Sequence, residues 1–226
     1  LAIGRAVNSA LVSKWTKAVV FLVCLAPFAV LLGKIIQNNL GANPVQFVEH
    51  WTGNWTLRFL IFTLCITPLR KLLRLPQLIR FRRMLGLFAF FYACLHFSTW
   101  IGIDRFFNLS QMWADVEKRR FITVGFAGFV LLIPPAVTST AGWIRRLGGK
   151  RWQMVHRAIY ASAIAGVIHY IWLVKSDEHK PLEYAAIVGA LLLWRVGAWA
   201  RKRAQAQAAT ARQLRRKESS IPAVEN

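Results

Sequence analysis

Six apolar blocks constrain this chain more tightly than any other feature, falling at 18–36, 55–73, 84–103, 121–140, 152–174 and 182–200. Each is close to the roughly 20 residues that cross a hydrocarbon core about 30 Å thick as helix. The sequence is 56% hydrophobic and only 17% charged, whereas soluble domains carry about a quarter charged residues. The expected fold class is therefore all-α, an integral membrane bundle of six helices.

The connections between blocks alternate in charge. Basic residues gather before the first block (Arg5, Lys14, Lys17), between the second and third (from Arg70 to Arg83), between the fourth and fifth (from Arg145 to Arg157), and in the tail beyond 200. Seven acids, Glu49, Asp104, Asp115, Glu117, Asp177, Glu178 and Glu183, lie in the intervening connections. Lysine and arginine accumulate on the cytoplasmic side of membrane proteins, so both termini are expected in the cytoplasm. The net charge of +21 is then a topology signal with lipid headgroups as its partner; it does not call for nucleic acid. The first block runs too long for a signal peptide and contains Lys34. The tail, 201–226, is expected to continue as a basic helix along the membrane surface and to fray at "IPAVEN".

Cys24, Cys65 and Cys94 sit inside blocks without a C-x-x-C spacing, so they are expected to be small apolar packers. Pro68 is expected to end the second span and Pro134-Pro135 to break the fourth, tolerable where neighbouring helices satisfy the freed carbonyls.

Five histidines remain. His50 and His179 fall in polar outer connections and are expected to be solvated loop residues. His96, His156 and His169 lie within spans, where ionisable groups usually face the bundle interior and mark function. No membrane-embedded carboxylate accompanies them, which disfavours a proton relay. Paired imidazoles in a dry helical bundle suit haem, whose iron takes axial ligands on both faces of an apolar ring. Counting about 1.5 Å per residue from Met84 and Trp152, His96 lies about 18 Å deep and His169 about 25 Å. On the same count His156 lies only about 6 Å deep. His96 and His169 are therefore the expected axial pair.

His156 lies thirteen residues before His169, which turns it about 140° away on an ideal helix; Gly166 offers room for distortion between them. Its role stays open between a second haem with an unusual partner ligand, contact with a flavin or quinone, and a plain hydrogen bond. Arg82, Arg83, Arg151 and Arg157 suit anionic cofactor groups through charge-assisted forks, and serve equally as topology charges. Trp100, Tyr160, Tyr170 and Trp172 are expected to be interface anchors and packing residues.

These residues carry a resemblance. His96 in "FYACLHFSTW", His156 in "GKRWQMVHRAIY" and His169 in "IHYIW", together with "GANPV", "ITPLR", "LIRFRRMLGL", "TST" and "LGGKRWQ", resemble the ferric-reductase-like transmembrane family over nearly all of the chain except the tail. The resemblance implies a haem-binding domain over 1–200 and a b-type cytochrome of the bacterial inner membrane with one or two haems. It also implies an electron-transfer subunit rather than a complete enzyme. Electrons would pass from the quinone pool, or from flavin reduced by a cytoplasmic reductase, to a periplasmic molybdenum enzyme that reduces methionine sulfoxide in envelope proteins. The family is also described with FMN, although no glycine-rich phosphate loop is present. Relatives with four bundle histidines and a nicotinamide domain differ, because this chain has 26 residues after Ala200. Two rivals are a haem-bearing metal reductase and a transporter or assembly factor that passes ions along the histidines.

Overall fold

A computed structural model describes residues 13–174 and 179–219, with side chains through 213. Among the described residues the regular structure is entirely helical. In chain order the helices are α1 (Lys14–Ile36), α2 (Pro44–Leu72), α3 (Ile79–Thr99), α4 (Leu109–Lys118), α5 (Arg120–Val137), α6 (Ala141–Val155), α7 (Ala158–Leu173) and α8 (His179–Ser219). A short 3₁₀ turn, Pro76–Leu78, precedes α3, and a π-helical turn, Trp100–Asp104, continues it. Lys14–Ile36, Pro76–Asp104, Arg120–Val137 and His179–Gln213 are each long and apolar enough to cross a membrane.

Capping sets several starts. Ser13 Oγ accepts the Trp15 amide at 3.2 Å, Asn43 Oδ1 accepts that of Gln46 at 3.2 Å with Pro44 following it, and Asn108 Oδ1 accepts that of Gln111 at 3.1 Å. Such side chains satisfy amides that a helix N-terminus leaves orphaned. Thus α2 begins well before the apolar block at 55, carrying Glu49 and His50 as helical residues rather than loop residues. His179 likewise opens α8.

The block 152–174 is not one helix. Trp152 to Val155 finish α6, in which Gly148 interrupts the helical dihedrals at φ +71°, and α7 starts only at Ala158. At the junction the Trp152 carbonyl meets both the backbone amide of His156 (3.1 Å) and its Nδ1 (3.0 Å). A side chain competing for a helix carbonyl offers the backbone an exit from the helix. Gly166 does not distort α7, which is continuous; a Cβ there would lie 3.3 Å from Leu57 Cδ1 on α2.

The prolines also act differently from expectation. Pro68 lies inside α2, which runs on to Leu72, and Pro134-Pro135 lie inside α5, which ends at Val137. Their carbonyls take Thr138 Oγ1 and Ser139 Oγ, each at 2.7 Å. Pro27 disturbs α1, and there Tyr92 of α3 spans one turn: its hydroxyl accepts the Phe28 amide and donates to the Cys24 carbonyl, both at 3.0 Å. Trp51 Nε1 donates to the Pro27 carbonyl at 3.1 Å. Tyr92 is fully buried, so Tyr92→Phe strands polar atoms in an apolar setting, at about 1–3 kcal/mol. The expected result is a melting temperature lowered by several degrees, at about 2–4 °C per kcal/mol for a chain this size; unchanged melting in detergent would refute the bridge.

Around the site α3 packs on α2 and α7 on α5, and the two pairs meet through α3 with α5 and α2 with α7. Small residues allow the α5–α7 approach: a Cβ at Gly128 would lie 3.2 Å from Ala165 Cβ, and Ser162 Oγ donates to the Gly128 carbonyl at 2.7 Å. Glycine and serine serve in this way at helix interfaces in lipid. The chain divides into two compact units at Val188–Gly189, inside α8. The tail helix extends as far as Ser219, while "IPAVEN" lies outside the described residues.

Candidate functional site: a paired-imidazole cavity

Each helix pair holds one histidine by the same device. His96 on α3 directs Nδ1 to the Glu49 carbonyl of α2 at 3.0 Å, with Thr52 Oγ1 at 3.4 Å. His169 on α7 directs Nδ1 to the Phe121 carbonyl of α5 at 2.7 Å. A carbonyl only accepts, so both Nδ1 atoms carry the proton and Nε2 is the lone-pair nitrogen of each neutral ring. Four residues after each carbonyl stands a glycine. A Cβ on Gly53 would meet the His96 ring at 3.2–3.6 Å, and one on Gly125 would meet the His169 ring at 2.6–3.1 Å. Carbonyl and glycine share a helix face at this spacing, so one anchors the imidazole and the other leaves it room.

The two rings face one cavity, with centroids 6.1 Å apart and planes at 74°. An imidazole nitrogen bonds a first-row metal at about 2.0–2.1 Å, which puts the ring centroid about 3 Å from the metal. Two rings on opposite sides of one ion thus stand about 6 Å apart on that bond length, a spacing that the 6.1 Å centroid separation fits. Hydrogen bonding of Nδ1 to carbonyls is also how metal-binding histidines are oriented and made more basic. Among the described residues no group of three or more His, Cys, Asp or Glu side chains could hold a metal. A metal between these rings would therefore need further ligands beyond such a side-chain cluster.

The cavity measures about 320 Å³, and α2, α3, α5 and α7 supply its walls. Leu57, Leu60, Phe97, Phe126, Phe129 and Leu132 make much of it apolar, as a flat porphyrin requires. Phe97 and Phe129 stack with centroids 4.5 Å apart. Polar side chains gather at one end: Gln46, Glu49, His50, Asp104, Arg105 and Arg119. His50 is exposed, yet borders this mouth. Trp100 and Tyr170, expected as anchors, line the cavity, whereas Trp172 is 49% exposed.

His156 is not among the lining residues. It stacks on Trp152 with centroids 3.8 Å apart, and its Nε2 lies 3.3 Å from Ser139 Oγ. Arg82 Nη2 donates to the Tyr160 hydroxyl at 3.5 Å, and Arg83, Arg151 and Arg157 are exposed. None of these four arginines lines the cavity. The residues missed by reading the sequence are Gly53, Gly125, Trp100, Arg105 and Arg119. A glycine inside an apolar span was the available signal for Gly125; Gly53 precedes its span, and Arg105 and Arg119 looked like ordinary connection charges.

Fold and site together define a multi-pass helical membrane protein that presents two backbone-anchored imidazoles across an internal apolar cavity. Residues 52–167 match the family described as ferric reductase like transmembrane component. The chain is 53% identical over 189 residues to the protein-methionine-sulfoxide reductase heme-binding subunit MsrQ of Herminiimonas arsenicoxydans, covering 82% of this chain and 87% of that one. It is 49% identical to the MsrQ of Caulobacter vibrioides (78% and 84% covered) and 47% identical to that of Rhodospirillum rubrum (84% and 91%). The chain belongs to the ferric-reductase-like transmembrane family and, within it, to the MsrQ subunits.

Proposed function

We propose that this chain is a b-type cytochrome subunit of a protein-methionine-sulfoxide reductase system, holding haem between His96 and His169. The observation that carries the reading is the 6.1 Å separation of two imidazoles whose Nδ1 atoms are tied to backbone carbonyls. His96 and His169 would hold the haem iron, and the Leu57, Phe97, Phe126 and Phe129 walls would enclose the macrocycle and exclude water. Haem supplies reversible one-electron storage at its iron. The Glu49 and Phe121 carbonyls, by accepting from Nδ1, strengthen each imidazole as a donor and help set the potential.

The topology expected from the charge pattern is six crossings of the bacterial inner membrane with both termini cytoplasmic. The mouth bearing Glu49, Asp104, Arg105 and Arg119 then opens toward the periplasm. Electrons enter from the quinone pool, or from flavin reduced by a cytoplasmic reductase, and leave at this mouth toward a molybdenum-dependent MsrP-type reductase. That partner carries out the reduction of methionine sulfoxide and so the repair of envelope proteins. The names of the relatives, heme-binding subunits of methionine-sulfoxide reductase, favour this acceptor over chelated ferric iron.

The test is pyridine haemochrome stoichiometry on purified wild type and His156→Ala, followed by electron delivery to a purified MsrP-type partner. Haem is expected in the wild type, and the low-spin spectrum of the haem held by His96 and His169 is expected to survive in His156→Ala, because that ring is engaged with Trp152 and Ser139 away from the cavity. A colourless wild type from haem-replete cells would end the proposal, and loss of all haem in His156→Ala would show that the ligands are misassigned.

A further inference from the structure

The haem reading leaves three hydrogen-bond donors at the polar end of the cavity without an assigned role. The first is Trp100 Nε1, which is buried and has no hydrogen-bond partner. Trp100 opens the π-helical turn Trp100–Asp104, and Arg105 follows that turn with its amide on the Trp100 carbonyl at 3.0 Å. Single π turns are concentrated at functional sites, where they re-aim side chains. The other donors are the guanidinium groups of Arg105 and Arg119, which line the same cavity.

Asp115 organises both arginines. Its Oδ2 pairs with Arg105 Nε, and its Oδ1 lies 3.2 Å from Arg119 Nε. Asp104 Oδ2 lies 3.3 Å from Arg105 Nη2. Gripping a guanidinium at Nε fixes its plane while leaving terminal Nη groups for a further acceptor. Arg119 keeps both Nη groups in this arrangement and Arg105 keeps Nη1.

We propose that Arg119, Arg105 and Trp100 Nε1 form the receiving site for the carboxylate arms of the cavity's macrocycle. This rests on the haem reading above and deepens it. It places the propionate edge at the periplasmic mouth rather than beside Arg82, Arg83, Arg151 or Arg157, none of which lines the cavity. Glu49 and Asp104 line the same mouth, so net positive charge is not the basis of recognition. The basis is a set of fixed N–H donors, one of them buried and unpartnered, for which a carboxylate is the matching acceptor. A side chain pair oriented by a buried Asp115 would also hold the macrocycle in one rotational setting between the two imidazoles.

The experiment compares binding of protohaem with binding of its dimethyl ester, in which both carboxylates are esterified. Haem-depleted full-length protein in detergent is titrated and the Soret band read. Wild type should favour the free acid by about tenfold, the order expected of one net charge-assisted hydrogen bond. Arg119→Gln and Trp100→Phe should each cut that preference to about threefold or less, read as the acid-to-ester ratio within each variant. Arg119 is half exposed, and the unfolding transition of each variant is compared with wild type to establish that the fold is kept. Arg82→Gln, at the other end, should keep the wild-type preference. Equal binding of acid and ester by wild type overturns the receiving site but leaves the imidazole pair standing, as does undiminished preference in both variants. Loss of preference in Arg82→Gln overturns it in favour of the opposite edge. Absence of any Soret band in wild type overturns this site together with the haem reading.

Discussion

Replacing His169 with alanine is expected to reduce the low-spin haem spectrum of the purified protein to background, and His96→Ala should do the same. Each ring is one half of a pair 6.1 Å apart, held by its own backbone carbonyl. His156 cannot compensate from where it lies, engaged with Trp152 and Ser139 outside the cavity. The measurement is haem per polypeptide together with the ferric electron paramagnetic resonance signal, on protein shown to be folded by its unfolding transition. Full haem content in both variants would refute the pairing outright.

A second large effect is expected from Gly125→Ala, a change that adds one methyl group and touches no ligand. In an exposed helix interior this substitution gains roughly 0.5–1 kcal/mol. Here the new Cβ would stand 2.6 Å from His169 Nδ1 and 2.9 Å from Cε1, closer than non-bonded atoms tolerate. The imidazole must move, and its 2.7 Å hydrogen bond to the Phe121 carbonyl goes with it. Loss of an outer-shell partner usually costs 10–100-fold in metal affinity, and haem retention should fall on roughly that scale. Gly53→Ala should be milder, because its Cβ meets the His96 ring no closer than 3.2 Å. Gly33→Ala, where no atom lies within 4 Å, serves as the neutral comparison. Competition for bound haem by an apo-haem acceptor protein would rank the three, and equal retention in Gly125→Ala and Gly33→Ala would contradict the steric account.

The graded glycine effects show where reading along the chain reaches its limit. Gly53, just before the second apolar block, and Gly125, inside the fourth, look like ordinary glycines until the facing helix is known. Their meaning comes from His96 and His169, which sit 43 and 44 residues away in sequence. The same holds for Trp100, expected among the interface anchors: only the π turn and the neighbouring helices make it a lining residue of the cavity. Conversely, the depth count that matched His96 with His169 used nothing beyond the rise per residue, and those two rings share the cavity. The same count treated 152–174 as one helix and so misjudged what separates His156 from His169. The break after Val155, where the His156 amide keeps its bond to the Trp152 carbonyl but the Arg157 amide turns to Met154, leaves no mark in hydropathy.

By itself the sequence determined that this chain is helical and membrane-embedded, because long uncharged stretches can satisfy their backbone in lipid only by bonding within themselves. It also determined which side chains were too costly to bury without purpose. Tertiary structure alone decided how these parts meet: which carbonyl holds each imidazole, which glycine yields space to it, and which arginines border the cavity. These relations depend on helix packing across tens of residues, where sub-ångström differences in approach decide between contact and clash, and no periodicity along the chain encodes them.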